Sequence, residues 1–174
     1  MKNAKRIAFC GVMTALAAVV LTVGALSGVG NYAGAMLAGL CLLPAGWEWG
    51  KKTELVLWIS VSLVGAMVIP DPETVLLFAA FFGWYPVFRD SLDRLPLLLR
   101  LFLKLLVFNL AAVGCEILVM KVLAPETEET WIILVLLACG NLAFLLYDVI
   151  LPRLALLYRV RLRKILFGER KPRA

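Results

Sequence analysis

Six polar side chains sit inside otherwise apolar stretches of this 174-residue chain: Arg100, Lys104, Asn109, Glu116, Asn141 and Asp148. An ionisable group in such a stretch is costly to keep, so these are the first candidates for chemistry. Asn109 and Glu116 are seven residues apart, as are Asn141 and Asp148, and that spacing puts each pair on one face of a helix. If the two stretches are antiparallel neighbours joined by a short loop, Lys104 and Asp148 reach the same depth and form an ion pair that locks the hairpin. Asn109 and Asn141 then meet nearer its middle, in an interhelical contact worth about 1 kcal/mol. Glu116 falls closer to the loop, with Lys121 the nearest cation along the chain. A carboxylate there suits a cationic or hydrogen-bonding ligand. Tyr32 and Trp131 fall at the same level and would line the mouth of that site, although both also suit an interfacial aromatic belt.

Other chemistry is excluded by what is missing. The chain has no histidine, the commonest metal ligand and general base. Its four cysteines, Cys10, Cys41, Cys115 and Cys139, lie in apolar runs without ligand spacing. No phosphate-binding loop, zinc-protease pair or nucleophile elbow is present. The expectation is a protein that is not an enzyme, holds no metal or cofactor, and cannot hydrolyse ATP itself.

The elements that position these residues follow from composition. The chain is 63% hydrophobic and 17% charged, more apolar than a soluble domain of this size can hide. Apolar runs recur at about 7–26, 32–46, 54–69, 74–88, 97–123 and 130–151, followed by a basic tail at 153–174. The expected fold is all-α: one integral membrane domain of six transmembrane helices. The first run is too long for a signal peptide and leads almost directly into the second. Runs two to four hold only about 15 apolar residues each, against the roughly 20 of a straight span. Flanking Trp and Lys make up the difference, or one of these runs is re-entrant. Lys and Arg fall on one side of the alternation, with Lys121 the single exception, and Asp71, Glu73, Glu126, Glu128 and Glu129 fall on the other. The positive-inside rule then places both termini in the cytoplasm of a bacterial cell membrane. The net charge of +6 is gathered at helix ends, which fits the bilayer surface as a partner and not nucleic acid.

One feature of the first run stands apart. Small residues at Ala4, Ala8, Gly11, Ala15, Ala18, Thr22 and Ala25 repeat every four or three positions and draw a seam along one helical face. Such seams let membrane helices approach closely, so this one is expected to pack on another helix, in this chain or outside it. The opening Lys5-Arg6-Ile7-Ala8, then Gly11, then Thr14-Ala15-Leu16-Ala17-Ala18-Val19-Val20-Leu21 resembles the start of the substrate-binding S components of energy-coupling factor (ECF) vitamin transporters. The resemblance implies six helices and a small-molecule ligand. It also implies an A-x-x-x-A face on the first helix that contacts a transmembrane coupling protein, with energy coming from that protein's ATPase subunits. Ala4-x-x-x-Ala8 and Gly11-x-x-x-Ala15 are the nearest equivalents here. None of the ligand patterns of the biotin, thiamine, riboflavin or folate members is present, so the resemblance names no vitamin. Phe81-Phe82-Gly83-Trp84-Tyr85-Pro86 and Lys104-Leu105-Leu106-Val107-Phe108-Asn109 resemble stretches of small bacterial multi-pass membrane proteins.

Two functions are therefore expected. In the first, the chain captures a small molecule for uptake by a separate ECF module, with Glu116, Asn109, Asn141, Tyr32 and Trp131 facing the ligand and the seam Ala4, Ala8, Gly11, Ala15 and Ala18 docking the coupling protein. In the second, it is a non-transporting membrane scaffold or envelope-assembly protein, whose polar pairs only hold the bundle.

Overall fold

A computed structural model of the chain describes residues 2–27, 30–119, 121 and 130–163. They form helices α1 (Lys2–Leu26), α2 (Asn31–Trp49), α3 (Lys51–Val68), α4 (Pro72–Leu77), α5 (Tyr85–Leu92), α6 (Leu97–Leu118) and α7 (Thr130–Leu157). A π-helical turn, Phe78–Phe82, joins α4 towards α5, and a second, Tyr158–Leu162, extends α7. Among the described residues there is no strand. The loop at 125–129 and the tail beyond 163 lie outside the described residues.

Among the described residues, four segments are long and apolar enough to cross a membrane: Ala4–Leu26, Pro72–Leu92, Leu97–Leu118 and Leu137–Leu157. The expected spans at 32–46 and 54–69 do become helices, longer than expected, but neither is among those four. For α3 the reason is Lys51, Lys52 and Glu54 in its first turn. For α2 it is the polar residues at its ends, Asn31 and the Trp47-Glu48-Trp49 end, with Pro44 and the glycines between them. That composition matches where α2 stands. It packs against α1, α3, α4, the first π-turn, α5 and α7, and Gly34, Ala35, Ala38, Gly39, Leu42 and Ala45 are buried along it. A helix enclosed by protein on most sides needs small residues for close packing more than it needs hydrophobicity towards lipid.

The outer helices sort their residues by a 3.6-residue period. In α6 the buried face is Lys104, Phe108, Ala112 and Cys115, while Leu98, Phe102, Leu106, Leu110 and Val113 are exposed. In α7 Gly140, Phe144, Tyr147 and Leu151 turn inward, while Leu142, Leu146 and Val149 face out. Exposed apolar rows of this extent exceed the patches a soluble monomer carries.

The α1–α2 crossing rests on two glycines. A Cβ placed on Gly24 would lie 2.6 Å from the Gly34 Cα, and one on Gly34 would lie 2.8 Å from the Gly24 Cα. The backbones touch there, and no larger residue fits without moving a helix.

The first π-turn has a local cause. Pro86 lacks an N–H and its ring crowds the carbonyl one turn back, so a regular ladder cannot run through it. The ladder widens instead: Gly83 N–H donates to the Phe78 carbonyl at 2.8 Å. Two indoles use carbonyls of the disturbed turn, Trp58 Nε1 donating to Ala79 at 3.1 Å and Trp84 Nε1 to Ala80 at 2.7 Å. The widening turns Phe81 and Phe82 onto α6 and α7. Phe81 meets Phe108 at 5.3 Å and Phe144 at 5.2 Å between ring centroids, and Phe108 stacks on Phe144 at 4.9 Å.

Candidate functional site

The polar residues gather at three places: a charged knot near the end of the bundle that carries the termini, an amide pair further along α6 and α7, and a group of acceptors at the opposite end. Contacts fix which end is which. Arg6, near the N-terminus, donates to Thr53 Oγ1 at 2.7 Å, and Arg163, past α7, pairs with Glu48 at 2.7 Å. Both reach the corner between α2 and α3.

The expected Lys104–Asp148 pair forms, at 2.8 Å, inside a larger knot. Lys104 Nζ has three donors and meets three acceptors: Asp93 Oδ1 at 2.6 Å, Asp148 Oδ1 at 3.0 Å and Asp148 Oδ2 at 2.8 Å. Asp148 Oδ1 also accepts from Arg89 Nε and from the Tyr85 hydroxyl, each at 2.6 Å. Arg89 bonds Asp93 at 3.1 Å. Lys104 is 2% exposed, so its charge is matched almost entirely by protein. The knot ties α5, α6 and α7 together.

Asn109 and Asn141 close on each other. Each side-chain amide donates to the other's carbonyl oxygen at 2.8 Å, and each donates its second hydrogen to a carbonyl one turn back, Leu105 or Leu137, also at 2.8 Å. All four amide hydrogens are used. What this pair can still offer a ligand is acceptor capacity on its two oxygens.

The third group stands at the far end. Tyr32 of α2 lies over Gly140 of α7, where an added Cβ would come within 3.1 Å of its ring, and it is tilted against Phe108 at 6.4 Å. Its hydroxyl is within electrostatic reach of both Glu116 and Glu73. Glu73 accepts from Asn31 Nδ2 at 2.9 Å, and Asn31 Oδ1 is buried without a hydrogen-bond partner. Glu73 is held by the start of α4: Asp71 caps that helix, accepting from the Glu73 and Thr74 backbone N–H at 3.2 and 3.1 Å and from the Thr74 hydroxyl, with Pro72 opening the first turn. A carboxylate in a first turn also faces the positive end of the helix dipole. The structure thus brings Tyr32 to the α6–α7 wall that carries Asn109 and Asn141, and within reach of Glu116. It adds Asn31 and Glu73, which are not among the expected site residues; Glu73 lies in the first turn of the helix that Asp71 and Pro72 open. Trp131 falls in the first turn of α7, and its side chain lies outside the described residues.

The seam on α1 does not pack within the chain over most of its length. Ala4, Ala8, Gly11 and Ala15 are exposed, and a Cβ on Gly11 would meet nothing within 4 Å. Ala18 and Thr22 are partly buried. The face of α1 that packs inward is another one, through Ala17, Leu21 and Gly24. Of the two uses expected for the seam, the internal one is therefore corrected for its first four residues.

Compared with known proteins, the chain matches no family model, no curated protein and no solved structure.

Proposed function

We propose that the chain is a membrane-embedded substrate-capture subunit of the S-component kind. On this reading it crosses the bilayer six times, with both termini in the cytoplasm, and takes up a small molecule from the outer face. Energy comes from a separate coupling protein with ATPase subunits.

The observation that carries the reading is the convergence of Asn31, Tyr32, Glu73 and Glu116 at the end of the bundle away from the termini. That group is rich in acceptors and suits a small ligand with N–H or ammonium donors. Tyr32, Asn109, Asn141 and Glu116 would face it, with Trp131 at the rim. The four strongly apolar segments, the exposed apolar rows and the charge alternation support membrane embedding. The open stretch from Ala4 to Ala15 supports a partner helix, since small residues facing outward leave room for a second backbone to come close.

The test is uptake and binding by Glu116→Gln. The substitution keeps size and removes charge, and it is expected to lower uptake at least about tenfold, the loss expected for one charge-assisted hydrogen bond. Unchanged uptake would remove Glu116 from the site. The scaffold reading is favoured by one observation, the closed Asn109–Asn141 pair, which holds α6 to α7 without any ligand. Native mass spectrometry separates the two readings: a small molecule carried through purification supports capture, and a ligand-free protein bound only to envelope-assembly proteins supports the scaffold.

A further inference from the structure

A cavity of about 480 Å³ opens at the end of the bundle away from that acceptor group, between the C-terminal end of α2, the start of α3, α5 and the late turns of α7. Its volume is that of an ordinary small-molecule site. Leu43, Trp47, Val87 and Leu151 supply apolar and aromatic walls. Four charged residues line it: Lys51, Glu54, Arg89 and Asp90.

Glu54 is the unusual member. It is 4% exposed, and its Oε1 is buried with no hydrogen-bond partner. Its carboxylate occupies the space over Gly46, where any added Cβ would collide with it. A buried acceptor left unmade costs the desolvation of that group, and a side chain lining a cavity can recover that cost from an occupant. The two cations of the lining, Lys51 and Arg89, equal its two anions, Glu54 and Asp90, and Arg89 is already taken up by Asp148 and Asp93 in the knot. The group left without a partner is an acceptor, Glu54, with the Trp47 indole in the same lining, and a donor cation suits both.

The geometry points to this cavity as a binding site for a small organic ammonium ion with an apolar body, its N–H groups donating to Glu54 and its body lying against Trp47 and Leu151. The site is separate from the acceptor group at the far end and does not depend on the function proposed for that group.

The probe is phenethylammonium, titrated into the purified full-length protein in detergent and read by tryptophan fluorescence and calorimetry, with neutral 2-phenylethanol as the comparison. Saturable binding is expected for the ammonium, with the alcohol weaker by about tenfold or more. Glu54→Gln should remove that preference. Ala155→Phe, which fills the cavity and leaves the carboxylate in place, should abolish binding of both compounds. Ala155 is a cavity-wall residue, so this variant keeps the test open should Glu54→Gln fold poorly. Glu116→Gln, at the other end, should bind the probe as wild type does. The proposal is overturned by absence of saturable binding, by equal affinity for the alcohol, or by unchanged affinity in Ala155→Phe.

Discussion

Lys104 shows how a cation is held where water is scarce. Three acceptors take its three N–H groups, and Arg89 and Tyr85 donate to Oδ1 of the same Asp148 carboxylate. Removing one partner from a buried, matched set strands the others, at a cost of about 3 kcal/mol or more. Lys104→Met is therefore expected to lower stability by that amount in detergent unfolding, and Lys104→Met with Asp148→Leu to recover part of it. A single variant as stable as wild type would show that the knot contributes nothing. The Lys104–Asp148 contact was legible in the sequence because two helices joined by a short loop put those residues at equal depth. Arg89 and Asp93 were not. They sit in and just after α5, a short helix whose Arg-Asp-Ser-Leu-Asp-Arg composition reads as a polar connector. Glu54 escaped too, because it is the packing against Gly46 that buries it.

At the level of elements, two glycines on α1 have opposite roles. Gly24 touches the backbone of Gly34, whereas Gly11 faces open space. Gly24→Leu should destabilise the isolated protein by about 1–3 kcal/mol or more, the range for overpacking, while Gly11→Leu should leave its unfolding midpoint unchanged. Equal effects from both would contradict the assignment of faces. Composition alone could not separate them, because both belong to runs of small residues; the inward face follows only once α2 is placed. The central position of α2 has the same origin. Its polar ends and glycines lower the hydropathy that marks a membrane helix, and the glycines and alanines between those ends are what a surrounded helix needs. The π-turn before Pro86 was not legible, since 74–88 reads as one continuous apolar run, and neither was its consequence: the released carbonyls are taken by Trp58 and Trp84. Trp58→Phe, which removes one of those donors and keeps an aromatic ring, should cost about 1 kcal/mol, measurable in the same unfolding assay.

For the whole molecule, the helical class was legible because apolar runs act over long stretches. The seam of α1 was legible as a pattern, and its outward direction was not. The six-span reading is tested by cysteine labelling in intact cells, in a background lacking Cys10, Cys41, Cys115 and Cys139. Ser27→Cys, between α1 and α2, should react with a membrane-impermeant maleimide added outside. Lys52→Cys, in the first turn of α3, should react only after permeabilisation. Both residues are exposed, so failure of Ser27→Cys to label, or labelling of both from outside, would contradict the topology.

The proposed function depends on a partner met through α1, and affinity purification from native membranes tests that most directly. Wild type is expected to bring down a transmembrane coupling protein together with subunits bearing ATP-binding motifs. Gly11→Leu with Ala15→Leu should remain folded and ligand-competent but come down without them. Wild type isolated without such subunits, or a double variant that retains them, would contradict the account.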